Sequence, residues 1–362
     1  MKNLKLIVLL ALALNWSCSS DDIETTPLPS APETMYFPPI MGNQWETVSA
    51  AVLGWDTSNE QQLFDYLAAK GTKSFMVLKK GRIVYEKYFN GQTATDNWIW
   101  FSAAKTLTAA TIGIAQQEGL LGIDDTMTSH LGTGWTAMTT ARENVITIKH
   151  HLSMSSGLDE TIDWGCFDPS CFQYKADPGT RWTYHQGAYT ILQDVVTNAA
   201  NTPFESYFAT KLKNPIGMNG SWFVLNEYHL YKSTARSMSR FGLLMLNGGV
   251  WDGNAILTDV NYFEEMTNTS QQMNKSYGYL WWLNGKTSSM STGSQDVYPG
   301  YLIPNAPADM FCALGYADQK IYVVPSKDLV IIRQGQDAGG SNLAGSGFDN
   351  ILWNKINQVI TD

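Results

Sequence analysis

The 362-residue chain has only 4 Cys and 5 His, and beyond its first residues it has no apolar run long enough to span a membrane. A zinc site would need a second ligand pair beside Cys166 and Cys171, and the adjacent His150 and His151 are not spaced as such a pair. Basic residues are outnumbered by acidic ones, 24 to 33, and the net charge of −9 argues against nucleic acid as a partner. We therefore expect no metal, no other cofactor and no nucleic-acid ligand.

Apolar residues, in contrast, are plentiful. They make up 44% of the chain, which predicts a well-filled core. The part that follows the N-terminal segments has about 320 residues, enough for one large domain or two closely packed lobes.

The first residues resemble an export signal. Two lysines precede the apolar run 6–14, which is too short to cross a bilayer. Cys18 follows, and the segment resembles a bacterial lipoprotein signal, although the leucine usually three residues before the cysteine is here four before it. We predict a signal peptide over 1–17, a lipid anchor at Cys18 as the sole membrane contact, and a proline-rich tether over 18–45. The protein would then be a lipoprotein of the periplasm or cell surface; plain secretion is the alternative.

The other cysteines fit an exported chain. Cys166 and Cys171 stand in a turn-rich stretch, and we expect them to form a local disulfide. Cys312 is left over, and we expect a buried core thiol.

Strand patterns occur at both ends of the chain and helical patterns lie between them. Strands are predicted at 74–78 and 82–85, as a hairpin, and again at 279–283, 320–324 and 329–333. Helices are predicted at 105–119, 188–199, 233–246 and about 348–360. We expect an α/β domain over 46–362, in which an antiparallel sheet built from both termini is flanked by helices and carries a mainly helical insertion at roughly 110–275.

One short motif carries chemistry. Ser102 and Lys105 form the only S-x-x-K in the chain, and on a helix their side chains lie on one face about one turn apart. A neutral lysine there can take the proton of the serine hydroxyl, while free N–H groups of the first helical turn point toward an oxyanion. No G-x-S-x-G occurs, which argues against an α/β-hydrolase with a nucleophile elbow.

Five further segments stand in a recognisable order after this motif. They are Thr147–Leu158, Pro178–Tyr189, Pro215–Met218, Ser237–Gly242 and Tyr277–Trp282. Together with the S-x-x-K run, they make residues 70–362 resemble the serine β-lactamase-like family. That family includes class C β-lactamases, D-alanyl-D-alanine peptidases, certain carboxylesterases and 6-aminohexanoate oligomer hydrolases.

The resemblance implies roles for particular residues. Ser102 would be the nucleophile, Lys105 its base, and Tyr184 the residue that shuttles a proton to the leaving group. Gln186 stands where many members have Asn, and either amide can donate to a substrate carbonyl. His185, between Tyr184 and Gln186, is expected to lie at the surface or in the wall of the cleft, since the mechanism does not need it.

The family's third motif, Lys-Thr-Gly in β-lactamases, corresponds to Ala313-Leu314-Gly315. The lysine that helps bind a substrate carboxylate is absent. Gly315 keeps the close backbone approach, and the N–H of Tyr316 would complete an oxyanion hole with that of Ser102.

The implied activity is that of a serine hydrolase acting through an acyl-enzyme on a small ester, amide or short peptide. A β-lactamase or D-alanyl-D-alanine peptidase is the first alternative, disfavoured by Ala313 and Gln186. A receptor that acylates without turnover, or an inactive binding protein, is an alternative of another class. Five tryptophans could line an aromatic cleft or belong to ordinary core packing: Trp98, Trp100, Trp182, Trp281 and Trp282.

Overall fold

A computed structural model describes residues 31–163, 165–339 and 347–361 of the chain. The predicted signal peptide, Cys18 and the first part of the predicted tether lie outside the described residues. No helix in the described ranges is both long enough and apolar enough to cross a membrane.

The helices and strands are numbered in chain order. The helices are α1 Glu60–Ala69, α2 Lys105–Gln117, α3 Met127–Leu131, α4 Thr140–Glu143, α5 Ile148–Leu152, α6 Gln186–Ala200, α7 Phe204–Phe208, α8 Ala235–Leu246, α9 Val260–Met266 and α10 Gly347–Val359. The strands are β1 Thr72–Lys79, β2 Arg82–Tyr88, β3 Trp98–Ile99, β4 Ser221–Leu225, β5 Tyr228–Ser233, β6 Val250–Trp251, β7 Asn254–Ala255, β8 Trp282–Leu283, β9 Ser288–Met290, β10 Val297–Pro299, β11 Phe311–Gly315, β12 Gln319–Val324 and β13 Leu329–Gly335.

The main sheet is built from both ends of the domain. Its order is β2-β1-β13-β12-β11-β8, so the N-terminal hairpin joins the late strands through the pairing of β1 with β13. The pairings are antiparallel, with Met76 opposite Ile332 and Ile321 opposite Ile332 at the centre. This confirms the predicted α/β class with an antiparallel sheet from both termini.

Helices cover both faces of this sheet. A Cβ added to Gly242 of α8 would lie 2.5 Å from Val330 Cγ1, so glycine lets this helix approach one face closely. On the other face, Trp353 of α10 packs edge-on against Tyr322 at 5.4 Å. Because neither face meets water, β12 and β13 are buried along their whole length and read as almost continuous apolar runs.

The middle of the chain is less purely helical than its sequence predicts. The strands β4 and β5 form a hairpin that pairs with β3, inside the range predicted as a mainly helical insertion. Asn226 and Glu227 make its turn with φ of 47° and 68°. The side chains of Trp222 and Tyr231 then pack on Phe208 of α7, which gives the hairpin its apolar support.

The strand predicted at 279–283 is shorter than expected. Only Trp282 and Leu283 pair with β11, because Leu280 adopts a φ of 58° and its N–H donates to the Leu152 carbonyl instead. The preceding residues form a turn against α9, where the Tyr279 N–H donates to the Met266 carbonyl.

The last residues of the predicted tether are packed on the domain. The Tyr36 N–H donates to the Lys80 carbonyl (3.0 Å), and the Trp45 indole donates to the Gly81 carbonyl (2.7 Å). Arg240, which is 5% exposed, donates to the carbonyls of Pro38 and Pro39. The folded part therefore begins before residue 46. The prolines of this segment have no N–H to donate, but their carbonyls accept hydrogen bonds from Arg240.

The cysteines have the predicted states. Cys166 and Cys171 form a disulfide with their Cα atoms 6.0 Å apart. Cys312 is a free, buried thiol on β11.

Candidate active site

Ser102 lies in a tight helical turn, Phe101–Ala104, that runs directly into α2. Phe101 adopts a φ of 49°, a left-handed conformation that costs a non-glycine residue about 1 kcal/mol or more. The fully buried Trp100 holds the turn from below, since its indole donates to Ser233 Oγ at 2.9 Å. Phe101, the strained residue next to Ser102, is thus held in place by the buried Trp100 that precedes it.

Lys105 is the first residue of α2, and only 1% of it is exposed. Its Nζ is 3.0 Å from Ser102 Oγ and donates to Gln186 Oε1 at 2.7 Å. Burial lowers the pKa of Lys105 well below its ordinary value. A neutral amine has a lone pair, so this geometry lets Nζ accept the Ser102 proton.

Tyr184 is brought to the same place from the segment before α6. The residue is 3% exposed, and its ring centroid lies 4.8 Å from Lys105 Nζ. Burial raises the pKa of the Tyr184 phenol above its ordinary value, and a hydrogen bond with Ser102 opposes that rise. The phenol is therefore protonated at rest and sits within reach of the serine, where a hydroxyl can relay a proton.

The end of β11 lies directly against the serine turn. A Cβ added to Gly315 would be 2.3 Å from the Trp100 carbonyl oxygen and 3.0 Å from the Ala103 nitrogen, so only glycine fits. Tyr316, the next residue, packs its ring edge-on against Phe101 at 5.3 Å. The two backbone segments predicted to supply the oxyanion hole, at Ser102 and Tyr316, are thus adjacent.

Gln186 and His185 differ in what they do at the start of α6. The amide oxygen of Gln186 faces Lys105, which leaves its NH₂ group as the part that a substrate carbonyl could use. His185 caps the helix, and its Nδ1 accepts from the Ala188 N–H at 3.2 Å. Burial lowers the pKa of His185 to about 4, so it is a neutral structural residue near neutral pH.

The structure also locates the two cations on β12 and β13, the strands that follow β11 in the sheet. Ala313 on β11 is 1% exposed and lies opposite Ile321. Lys320 on β12 lies directly opposite Arg333 on β13, and each is fully buried. Lys320 pairs with Asp349 and Asp318, while the Arg333 guanidinium donates to backbone carbonyls and Thr72. Neither side chain is available to a substrate carboxylate.

The five tryptophans divide between core and site. Trp100 and Trp281 are core residues that pack on Phe241. Trp282 stacks on the Tyr184 ring at 6.0 Å, and Trp182 packs edge-on against Trp282. Trp98 is partly buried on β3, where its indole donates to the Gly335 carbonyl.

This fold, with a serine, a buried lysine and a tyrosine in mutual contact, is that of the serine β-lactamase-like hydrolases. The chain belongs to the β-lactamase family, since the family model described as Beta-lactamase matches residues 61–342. A comparison with curated protein sequences finds no match.

Solved structures share the fold at low sequence identity. A Bacillus anthracis protein assigned as a 6-aminohexanoate-dimer hydrolase is 19% identical, with a TM-score of 0.64 over 83% of this chain and 84% of that one. A family VIII carboxylesterase is 14% identical, with a TM-score of 0.62 over 82% and 96%. A penicillin-binding protein from Bacillus halodurans is 14% identical, with a TM-score of 0.60 over 81% and 99%.

Proposed function

We propose that the protein is an exported serine hydrolase that forms an acyl-enzyme at Ser102 and then hydrolyses it, acting on a small ester or amide. The observation that carries this proposal is the buried Lys105 amine, 3.0 Å from Ser102 Oγ. Burial favours the neutral form of this amine, and a neutral amine can accept a proton, whereas an exposed lysine is charged near neutral pH.

The reaction follows from the positions of these groups. Lys105 Nζ takes the Ser102 proton as Oγ attacks the substrate carbonyl carbon, and the oxyanion faces the N–H groups of Ser102 and Tyr316. Tyr184 relays the proton held on Lys105 to the leaving group as the tetrahedral intermediate collapses, which leaves Lys105 neutral again. Water then attacks the acyl carbon, with Lys105 or Tyr184 taking its proton and returning it to Oγ as the bond between Oγ and the acyl carbon breaks.

The surroundings of the serine favour an uncharged substrate. Ala313 replaces the carboxylate-binding lysine, and the nearby Lys320 and Arg333 are committed to buried partners. The rings of Tyr184 and Trp282 offer apolar contacts instead. These features support a neutral ester or amide over a β-lactam or a peptide with a free carboxylate beside the scissile bond.

Turnover of a short p-nitrophenyl ester tests this function. We expect steady release of p-nitrophenol by the wild type, and no release or fluorophosphonate labelling by Ser102→Ala, whose melting temperature should be unchanged. Wild-type esterase activity in Ser102→Ala would show that the nucleophile is a different residue. A single burst of p-nitrophenol without turnover would indicate a receptor that is acylated but not recycled.

Export and anchoring are tested separately. Growth with labelled palmitate should tag the protein through Cys18, and Cys18→Ala should move it to the soluble fraction. The apolar run 6–14 followed by a cysteine motivates this expectation. An unlabelled protein whose mature N-terminus lies beyond Cys18 would indicate plain secretion.

A further inference from the structure

Two tyrosine rings face the amine of Lys105, and one of them has no role in the proposed reaction. The Nζ atom lies 4.0 Å from the Tyr189 ring centroid and 4.8 Å from that of Tyr184. Tyr189 is 3% exposed and stands on α6 one turn after Gln186, the other partner of the lysine. Its hydroxyl donates to the His229 carbonyl on β5 at 3.0 Å, which fixes the ring plane.

Among the described residues, no carboxylate forms an ion pair with the amine of Lys105, and burial lowers the pKa of that amine. The titratable groups on α6, at the two positions before it and on β5 are Tyr184, His185, Tyr189, Asp194, Tyr228, His229, Tyr231 and Lys232. Of these, the two ring faces at 4.0 and 4.8 Å lie against Nζ itself.

We infer that Tyr189 is a positioning residue for the base, and that its ring face stabilises the ammonium that forms on Lys105 as Ser102 gives up its proton. The inference rests on the proposed function, in which Lys105 is that base. The proton moves from Oγ to Nζ while Oγ bonds to the acyl carbon, so a positive charge develops at Nζ during this step. A ring quadrupole beside a desolvated cation stabilises that charge but has little effect on the neutral amine before it.

Two consequences distinguish this role from simple packing. Without the ring, the ammonium form of Lys105 is less stable, so its pKa falls. The acylation rate rises with pH as Lys105 loses its proton, and this rise, the acid limb of the pH profile, then moves to lower pH. The shift should be roughly 0.4 to 1.5 pH units, the size of a desolvated cation–π interaction. A weaker base also accepts the proton less readily, so the rate above the limb should fall roughly 3- to 30-fold.

The experiment measures the rate at which Ser102 is acylated, as the p-nitrophenol burst or the fluorophosphonate labelling rate, across a pH series. Tyr189→Leu removes the ring, and Tyr189→Phe is the matched control because it keeps the ring and loses only the hydroxyl bond to His229. We expect the midpoint of the acid limb to move to lower pH in Tyr189→Leu and to stay at the wild-type pH in Tyr189→Phe. A loss in Tyr189→Leu that is equal at every pH, or an equal midpoint shift in both variants, would overturn the inference.

A second series decides the matter if Tyr189→Leu does not fold. Phenylalanine analogues with increasing numbers of ring fluorines, incorporated at position 189, weaken the ring quadrupole at almost constant shape. The midpoint should fall stepwise with fluorine number, and a midpoint independent of fluorination would reject the role. Failure of the proposed function gives a different result, since a wild type that is not acylated at Ser102 has no limb to measure.

Discussion

Two lysines are buried in the described part of this protein, and their surroundings are opposite. Lys320 is 0% exposed and has two carboxylates beside its amine, Asp349 at 2.9 Å and Asp318 at 3.2 Å. Lys105 is 1% exposed and has a serine hydroxyl, an amide oxygen and two aromatic rings, with no ion pair in the described structure. The first lysine pairs with two buried carboxylates, and the second is a buried amine whose pKa burial lowers.

The difference follows from where each lysine stands. Lys320 points from β12 toward α10, whose Asp349 also accepts from Tyr322, so carboxylates meet it inside the domain. Lys105 begins α2 on the opposite side of β11, where the neighbouring elements contribute hydroxyls, amides and rings. A buried lysine is therefore a candidate base only where counter-ions are lacking.

The largest expected effect comes from removing the amine of Lys105, and it tests the contrast between the two lysines directly. Lys105→Met keeps the length of the side chain and removes the amine, and we expect kcat/KM for a p-nitrophenyl ester to fall about 10²- to 10⁴-fold. The stability should be unchanged or slightly higher, because a desolvated polar group has been replaced by an apolar one. Activity is measured as kcat/KM and stability by urea unfolding. An active Lys105→Met would show that a different group deprotonates Ser102.

Lys320→Met should have the opposite effect. It removes the amine that pairs with Asp349 and Asp318, and removal of one partner from a buried pair costs about 3–5 kcal/mol in the free energy of unfolding. The esterase activity of the folded fraction should stay within a few-fold of the wild type. Adding Asp349→Asn to this variant should restore part of the stability, and urea unfolding of both proteins measures the difference. A stable single variant would contradict the idea that Lys320 neutralises this cluster.

The smallest expected effect is on substrate specificity. It comes from Ala313→Lys, which adds a lysine at the third motif and so sharpens the contrast between the lysines. Ala313→Lys should improve kcat/KM for a carboxylate-bearing substrate such as a cephalosporin about ten- to a hundredfold relative to a neutral ester of similar size. Ala313→Met, of similar length without charge, is the control for crowding at this buried position.

Equal effects of Ala313→Lys on both substrates would indicate that crowding rather than charge decides the rates. Strong cephalosporin turnover by the wild type would remove the preference for an ester or amide. The cation would then have to come from a side chain other than Lys320 or Arg333, since both are buried with other partners.

The local features of the site could be predicted from the sequence. The spacing of Ser102 and Lys105 places them within reach on any helix, and the structure has them 3.0 Å apart. The disulfide between Cys166 and Cys171 and the hairpin of β1 and β2 are equally local. The family resemblance added the long-range order, including the contact of Gly315 with the serine turn.

Other features could not be predicted because distant segments create them. Gln186 is 81 residues from the lysine that it contacts, and its expected role was toward substrate rather than toward Lys105. The β4–β5 hairpin lay within a region that reads as helical, and its strands are stabilised by Phe208 from another element. The tether's last residues are folded because Arg240 and the β1–β2 turn bind their backbone.

The sequence by itself determined which residues are the candidates for the chemistry, because the helical repeat and the order of motifs are properties of the chain. Only the tertiary structure decided which groups surround Lys105, Lys320 and Tyr189. A lysine has the same side chain in both places, and its protonation depends on desolvation and on the groups that folding brings against it. Those groups are carboxylates at Lys320 and ring faces at Lys105, and they come from elements far away in the sequence.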